Sequence, residues 1–282
     1  MRHHLFPLLA GFSALYLGAG CARAEIPAAP TESDWRTPDA ANLLVIYTNK
    51  GRIIVELAPE AAPQSAARLR QLARMGVYNG RAFFRVIDNF MDQTGDPLDN
   101  GTGDSTLPNL PAEFTFRRGG DTPVTVVNQT EAGEAGFVGS LPVVSQTMSL
   151  ASLTVDQKVR AWGTFCPGVV GMARSQSPDS ANAQFFLMRG AQPNLDQKYT
   201  PVGRVILGLD VVRAIKLGEP PIPPADQMLK VRVLADIPPA ERPKIQVIDT
   251  AGPWFKAEIE RLRAKAGGDP SICEIDLPTR SK

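Results

Sequence analysis

The sequence contains almost no histidine. Its two histidines, among 282 residues, stand at positions 3 and 4. An apolar run over residues 5–20 follows them, and Ala22-Arg23-Ala24 then offers a small-x-small cleavage site. Together these features predict a secretory signal peptide over residues 1–24. Cleavage after Ala24 would leave a chain without histidine, which excludes Ser-His-Asp and Cys-His catalysis and histidine-ligated zinc.

Cysteine is almost as scarce, with three residues in the chain. Cys21 follows Gly-Ala-Gly in a loose match to a bacterial lipoprotein site, so lipid anchoring there is the alternative to cleavage after Ala24. Cys166 and Cys273 are too few for a structural zinc site but permit one disulfide in an exported protein. We predict that bridge. Two buried free thiols are the alternative, because spacing alone cannot place two Cβ atoms within bonding reach.

The chain also lacks an excess of charge of either sign, with 30 basic and 29 acidic residues. This balance gives no electrostatic reason to expect nucleic acid or an anionic membrane surface as a partner. The apolar run near the start is short and glycine-rich for a membrane span, so none is expected in the mature chain. With 43% hydrophobic residues, the chain can bury a core. We expect an exported, periplasmic monomer.

Apolar segments rich in β-branched residues predict a mainly β domain over residues 41–238. A tether rich in proline and alanine is expected before it, over residues 25–40. The periodicity of apolar residues favours helices at 63–75 and 209–217. The predicted strands are 43–48, 52–57, two within 81–95, and then 168–174, 183–188, 200–208 and 228–235.

Two segments depart from that pattern. The segment from about 116 to 165 is weakly patterned and is expected to be an insertion, with a strand candidate at 125–127 and a helix candidate at 155–162. Residues 239–282 form a C-terminal extension, with a strand at 244–248 and a helix at 253–266 that begins at a proline and ends before a glycine. The apolar stripe of that helix is expected to dock onto the core rather than to bind a partner. The stripe consists of Phe255, Ile259, Leu262 and Ala266.

The most informative segment is FFRVIDNFMDQTGDP, residues 83–97. It places one arginine, Arg85, among apolar and amide side chains, which is an odd composition for a hydrolase or a transferase. Such a segment suits a site that holds an apolar ring and sets a permanent positive charge beside a peptide group. Together with GVVGMARSQSPDSANAQFFLM at 168–188, it resembles the signature of the cyclophilin-type peptidyl-prolyl cis-trans isomerases.

The resemblance covers roughly residues 43–238, apart from the insertion. It implies an eight-stranded antiparallel barrel capped by two helices, and substrates that are X-Pro-containing polypeptides, with no cofactor and no metal. It implies a catalytic role for Arg85, and for Gln93 a hydrogen bond to the substrate backbone. Matched to the family pattern, Gly101 and Gly103 form the glycine loop. The implied substrate-binding residues are Phe90, Met91, Ala173, Gln184, Phe186, Leu195 and Tyr199.

The implied chemistry suits these residue types. An X-Pro bond rotates over a barrier of about 18–20 kcal/mol because the amide C–N bond has partial double-bond character. In the twisted state the prolyl nitrogen gains a lone pair, and a guanidinium that donates to it stabilises that state more than the planar one. Neither a nucleophile nor a proton transfer is needed. We therefore predict an isomerase that assists the folding of unfolded exported proteins.

The same resemblance also shows departures around the groove. Phe84, Arg174, Asn194 and Val202 replace residues that are more common in the family. This altered rim favours a second hypothesis, in which the groove belongs to a non-enzymatic or chaperone-like binding module for proline-containing segments. It also predicts weak binding of the peptide drug cyclosporin.

Two further patterns need an interpretation. The aspartates at 92, 96, 99 and 104 suggest calcium, but their spacing fits no EF-hand, so solvated turns are the preferred interpretation. Phe185 and Phe186 must face opposite sides of one strand, and the resemblance assigns Phe186 to the groove.

Overall fold

The computed structural model describes residues 29–281. The predicted signal peptide and Cys21 lie outside these residues. Within the described range, no helix has the length and apolar character needed to cross a membrane. The α-helices are α1 (Pro63–Arg74), α2 (Leu209–Ala214) and α3 (Pro253–Ala266). Short 3-10 helices lie at Glu32–Asp34, Ala40–Asn42, Met148–Leu153, Pro193–Leu195, Leu234–Asp236 and Ile272–Glu274.

The strands of the described residues form three antiparallel sheets. The first eight strands are β1 (Trp35–Arg36), β2 (Leu43–Thr48), β3 (Gly51–Leu57), β4 (Arg81–Ala82), β5 (Arg85–Ile87), β6 (Met91–Thr94), β7 (Phe116–Arg118) and β8 (Thr125–Thr130). The others are β9 (Gly133–Val138), β10 (Leu141–Ser145), β11 (Val159–Gly163), β12 (Val169–Met172), β13 (Phe185–Met188), β14 (Pro201–Leu207), β15 (Gln227–Val233), β16 (Ile245–Ile248) and β17 (Thr279–Ser281).

The main sheet has nine strands in the order β4-β15-β2-β3-β14-β12-β13-β6-β5. Its two outermost strands, β4 and β5, are consecutive in the chain and are separated by Phe83 and Phe84 alone. The two edges of the sheet are therefore held together covalently, and the sheet curls into a barrel. Counted as one interrupted strand, β4 and β5 give the eight-stranded barrel that the resemblance implies, and the prediction of a mainly β, cyclophilin-like fold is confirmed.

Apolar side chains from the strands and from helices α1 and α2 fill the barrel core. In the β2–β3 hairpin, Ile46 lies opposite Ile53, and both side chains are fully buried. Helix α1 begins at Pro63, whose missing N–H costs nothing at that position, and buries Leu69 and Leu72 against the sheet. The observed α1 and α2 lie within the helices predicted at 63–75 and 209–217.

The insertion forms its own five-stranded sheet, in the order β7-β11-β10-β9-β8. The strand candidate at 125–127 is confirmed as part of β8. The helix candidate at 155–162 is wrong, because residues from Val159 onward form β11, which pairs with both β10 and β7. Val159 and Ala161 are buried while Arg160 between them is exposed. That alternation is typical of a strand with one covered face.

The C-terminal extension packs on the insertion. Helix α3 has the predicted bounds, and Gly267 after its last residue adopts the left-handed conformation that ends many helices. Phe255 and Ile259 are buried, and the Phe255 ring meets Phe137 of β9 edge-on, with 5.8 Å between centroids. Ala266 is exposed. Leu262 is half-buried and packs against the same cluster, so docking of the stripe is confirmed for three of its four residues.

The tether predicted over residues 25–40 is corrected where the structure describes it. Trp35 and Arg36 form β1, which pairs with Ile248 and Val247 of the extension. Asp34 is buried and accepts a hydrogen bond from the backbone N–H of Thr31. Proline and alanine are compatible with a tether, but a tryptophan that gains apolar contacts favours an ordered segment.

A disulfide joins the extension to the barrel. Cys166, just before β12, is bonded to Cys273, with an S–S distance of 2.04 Å. Of the two alternatives that the sequence leaves open, this structure contains the bridge.

Candidate active site

The residues predicted to form the site meet on three neighbouring strands, β5, β6 and β13. The register sets Arg85 opposite Gln93, and Gln93 opposite Phe186. These side chains therefore form one row across the sheet, although they come from distant parts of the sequence. Because successive side chains of a strand point to opposite faces, Asp92 points away from the row.

Adjacent phenylalanines on β13 have separate roles. The ring of Phe185 is buried in the barrel core and meets Tyr78 edge-on, with 5.3 Å between centroids. Phe186 faces the groove and lines the candidate pocket, as the resemblance implies.

The row borders a small, mostly apolar pocket of about 120 Å³. All of the predicted catalytic and substrate-binding residues line it except Gln184, which lines an adjoining pocket of about 330 Å³. Gln93, Ala173 and Arg174 border both pockets, so the two form one continuous groove. The lining of the smaller pocket is Arg85, Phe90, Met91, Gln93, Ala173, Arg174, Phe186, Leu195 and Tyr199.

Aromatic packing fixes the pocket floor. Phe186 stacks on Phe165 at 5.8 Å between centroids and meets Tyr199 edge-on at 5.9 Å. Gly171 makes room for both phenylalanines, because a Cβ there would lie 2.4 Å from the Phe186 ring and 2.7 Å from the Phe165 ring. Neither Phe165 nor Gly171 is predictable from the sequence as part of the site, since nothing local in the sequence shows what packs behind a pocket.

The segment that carries Leu195 and Tyr199 is anchored to the residue behind the floor. The backbone N–H of Phe165 donates to Asp196 Oδ1 at 2.9 Å, and the Gln192 N–H donates to the Phe165 carbonyl at 2.8 Å. Burial raises the pKa of the Asp196 carboxyl, and hydrogen bonds from Thr164 and Phe165 act against that shift.

Arg85 lies at the edge of the pocket. Its Nε–H donates to Glu219 Oε2 at 2.7 Å, and its guanidinium carbon lies 6.0 Å from the centroid of the Phe90 ring. Glu219 was not selected from the sequence, because 134 positions separate it from Arg85 and no motif connects them.

A chain of amides forms the polar side of the groove. Gln93 Nε2 donates to Gln184 Oε1 at 3.1 Å, and Gln184 Nε2 donates to the carbonyl of Gly103 at 3.0 Å. Ala173 donates its own N–H to the Gln184 carbonyl. Its carbonyl is therefore the backbone group that it can offer to a peptide.

The glycine loop is held by a buried carboxylate. Asp96 accepts from the backbone N–H of Leu98 at 2.7 Å and from that of Asn100 at 3.0 Å, and Gly101 N–H also donates to it. Burial opposes ionisation of Asp96, but these backbone donors outweigh it and lower its pKa. A Cβ at Gly103 would meet the Asp96 carboxylate at 2.0 Å, so the loop needs glycine there.

The interpretation of the four aspartates as solvated turns is wrong for two of them. Asp92 and Asp96 are fully buried. Asp92 pairs with the buried Arg189, whose Nη1 lies 3.0 Å from its Oδ1, and Asp96 holds the loop. Among residues 29–281, no cluster of three or more histidine, cysteine or acidic side chains has the arrangement of a metal site.

The four residues that depart from the family pattern lie in different environments, some at the groove and one in the barrel core. Phe84 is buried, and its ring lies beside Gly101 of the glycine loop. The Arg174 guanidinium lies over the Tyr199 ring, 4.6 Å from its centroid, and Asn194 is exposed. Val202 is fully buried in the barrel core, so its expected place at the groove is corrected.

Comparison with known proteins agrees with this geometry. A family model described as cyclophilin type peptidyl-prolyl cis-trans isomerase/CLD matches residues 43–233. A probable peptidyl-prolyl cis-trans isomerase of Brucella suis is 33% identical over 213 residues, which cover 70% of this chain and 85% of the relative. Peptidyl-prolyl cis-trans isomerase-like 3 of Gallus gallus is 30% identical over 169 residues, covering 60% of this chain and 78% of the relative.

A solved structure matches a larger share of the chain than these two relatives do. The crystal structure of a cyclophilin from Hirschia baltica superposes with a TM-score of 0.81 at 36% identity, and the match covers 88% of this chain and 93% of that chain. The likeness therefore extends beyond the segment that the family model matches.

Proposed function

The chain belongs to the cyclophilin-type peptidyl-prolyl cis-trans isomerases, and from that premise we propose that Arg85 stabilises the twisted prolyl amide during catalysis. One observation supports this role above the others. Two cationic side chains, Arg85 and Arg174, line the pocket. Of these two, Arg85 lies directly opposite Gln93 in the β5–β6 pair. A permanent positive charge thus stands beside a small, mostly apolar pocket of about 120 Å³.

Each wall of the pocket has a part in the proposed mechanism. The proline ring lies among Phe90, Met91, Phe186 and Leu195, which contact it without reacting with it. The side-chain amide of Gln93 donates to or accepts from the peptide group that flanks the proline. The Ala173 carbonyl accepts from a backbone N–H of the same substrate. With the ring and one side of the peptide held, rotation is confined to the X-Pro bond. The guanidinium then donates to the pyramidal prolyl nitrogen, an interaction that the planar ground state makes less well.

The test is the isomerase activity of Arg85→Ala on a short X-Pro peptide. Loss of one strong transition-state donor is expected to lower kcat/KM by about 100-fold, or about 2.7 kcal/mol. Arg160→Ala, at an exposed site on the insertion sheet, is the matched control and should retain full activity. Wild-type turnover by a folded Arg85→Ala protein would contradict the mechanism.

The alternative function is binding of proline-containing segments without useful turnover. The observation that favours it is the altered rim of the groove, where Asn194 is exposed and the Arg174 guanidinium lies over the Tyr199 ring. A protein of this kind would bind X-Pro peptides with the same affinity before and after Arg85→Ala and would show no catalysed isomerisation.

We also propose that the substrates are unfolded exported proteins in the periplasm. Two observations support this. The sequence over residues 1–24 has the pattern of a secretory signal peptide, and the Cys166–Cys273 disulfide is of a kind that persists in oxidising compartments. Expression in a bacterium with two membranes should yield a soluble periplasmic chain that begins at Glu25. A lipid-modified chain beginning at Cys21 would support anchoring instead, and a full-length cytoplasmic chain would contradict export.

A further inference from the structure

We propose that Glu219 is a positioning residue for Arg85, which holds the guanidinium by its Nε edge and leaves its terminal nitrogens to the prolyl amide. The inference rests on the proposed catalytic role of Arg85. It adds a residue from a loop that lies outside both sequence signatures of the site.

Backbone pairing brings the two side chains together. Val86 of β5 and Gly218 form an antiparallel bridge outside the named strands. Val86 N–H donates to the Gly218 carbonyl at 2.8 Å, and Gly218 N–H donates to the Val86 carbonyl at 2.9 Å. In an antiparallel pair, the residue before one partner lies opposite the residue after the other. The bridge therefore places Glu219 directly opposite Arg85.

The loop that carries Glu219 is fixed on both sides of it. Before it, the backbone N–H of Lys216 donates to Asp226 Oδ2 at 2.8 Å. Beyond it, Lys216 Nζ donates to the Ile222 carbonyl at 2.7 Å. Gly218 has a φ of +150°, and a Cβ on it would lie 2.4 Å from Pro221 Cα, so the turn accepts only glycine there. These anchors fix the turn, and the turn fixes the position of Glu219 relative to β5.

The geometry of the ion pair leaves the reactive edge of Arg85 free. A guanidinium is planar and carries one N–H at Nε and four at its two terminal nitrogens. Glu219 Oε2 accepts from Nε, and among residues 29–281 no other hydrogen bond to the Arg85 side chain is present. Holding one edge of a planar group orients the rest of it. The terminal N–H groups then remain available at the pocket.

Orientation, rather than stability, is the expected contribution. The two side chains are 40% and 49% exposed, and pairs at such exposure add little to the free energy of unfolding. An arginine at 40% exposure without a partner would sample several rotamers, most of which point its donors away from the prolyl nitrogen. Pre-orienting it raises turnover without requiring tighter substrate binding.

The experiment compares Glu219→Ala, Glu219→Gln and Glu131→Ala in steady-state isomerase kinetics that resolve kcat and KM. We expect Glu219→Ala to lower kcat about tenfold, the scale of a modest misplacement of a catalytic group, with little change in KM. Glu219→Gln keeps an oxygen that accepts from Nε and should restore most of kcat. Glu131, exposed at the β8–β9 turn, is the matched control and should leave both constants unchanged.

A double-variant comparison separates positioning from damage to the loop. In the Arg85→Ala background no guanidinium remains to be oriented, so adding Glu219→Ala should cause no further loss of the residual rate. A further loss there, or an unchanged or raised kcat in the Glu219→Ala single variant, would overturn the proposal. If Arg85→Ala alone retained full activity, the proposed mechanism itself would fail, and that outcome is distinct from the others.

Discussion

Gln93 and Gln184, side by side on the groove, are linked by a hydrogen bond of 3.1 Å from Nε2 of the first to Oε1 of the second. Because Gln184 also donates to the Gly103 carbonyl, one amide chain connects β6 to the glycine loop. A connected chain of this kind fixes each amide through its neighbour. The polar side of the groove is therefore set by residues in both halves of the sequence.

Removal of Gln184 should weaken substrate binding more than turnover. Gln184→Ala takes away the acceptor of Gln93 and one hydrogen bond to the glycine loop, but leaves Arg85 in place. Loss of one net hydrogen bond, about 0.5–1.5 kcal/mol, corresponds to a rise in KM of roughly 2- to 13-fold. The measurement is KM for an X-Pro peptide, with Gln129→Ala at an exposed site on β8 as control. An unchanged KM would show that the chain does not support the groove.

Gly171→Ala should disturb the pocket floor. The added Cβ would lie 2.4 Å from the Phe186 ring, so that ring must move into the space the proline needs. Overpacking of this kind costs about 1–3 kcal/mol of stability, and we expect a lower melting temperature together with reduced kcat/KM. Gly268→Ala, where a Cβ meets nothing within 4 Å, should change neither. Full activity in Gly171→Ala would mean that Phe186 does not define the floor.

Local patterns in the sequence were enough to predict much of the fold. Helix α3 begins at Pro253 and ends before Gly267 as predicted, because both signals act on the backbone next to them. The β2–β3 hairpin is likewise encoded by adjacent apolar runs and one turn. β11 was missed because a five-residue strand is defined by its neighbours β7 and β10, which lie elsewhere in the chain.

Prediction of the site depended on the resemblance. Nothing in the periodicity separates Phe186 from Phe185, and the family pattern alone assigned one of them to the groove. Glu219 and the burial of Asp92 were both missed for one reason. Their partners, Arg85 and Arg189, lie 134 and 97 positions away, and pairing at such distances follows from tertiary contacts that no local pattern encodes.

Asp92 should make stability depend on pH. Burial raises the pKa of its carboxyl from 3.8 to about 7, although the hydrogen bond from Arg189 acts in the opposite direction. Between about pH 4 and pH 7 the unfolded chain ionises this group while the folded chain keeps it protonated. Its contribution to the free energy of unfolding is therefore fully present below pH 3.8 and declines as the pH rises to 7, by at most about 1.4 kcal/mol per pH unit.

Urea unfolding of the wild type and Asp92→Asn at several pH values isolates that contribution. Asparagine has a similar shape and does not titrate, so the difference between the two proteins reports Asp92 alone. Relative to Asp92→Asn, the wild type should lose stability from pH 4.5 to pH 7. A relative gain over the same range would mean that the native carboxyl ionises below its ordinary pKa, held by Arg189.

The Cys166–Cys273 disulfide should stabilise the whole chain and the pocket floor with it. Its cysteines are 107 positions apart, and a bridge that closes so long a loop contributes on the order of 4 kcal/mol in the chain-entropy model. Cys166 directly follows Phe165, which stacks on Phe186, so loosening the extension also releases the residue behind the pocket.

Thiol titration of the denatured, unreduced protein lacking residues 1–24 should find no free thiol, and the double variant Cys166→Ala/Cys273→Ser should unfold at a lower urea concentration. Two titratable thiols per chain would contradict the bridge, and equal stability of the double variant would show that packing of α3 on the insertion suffices to hold the extension.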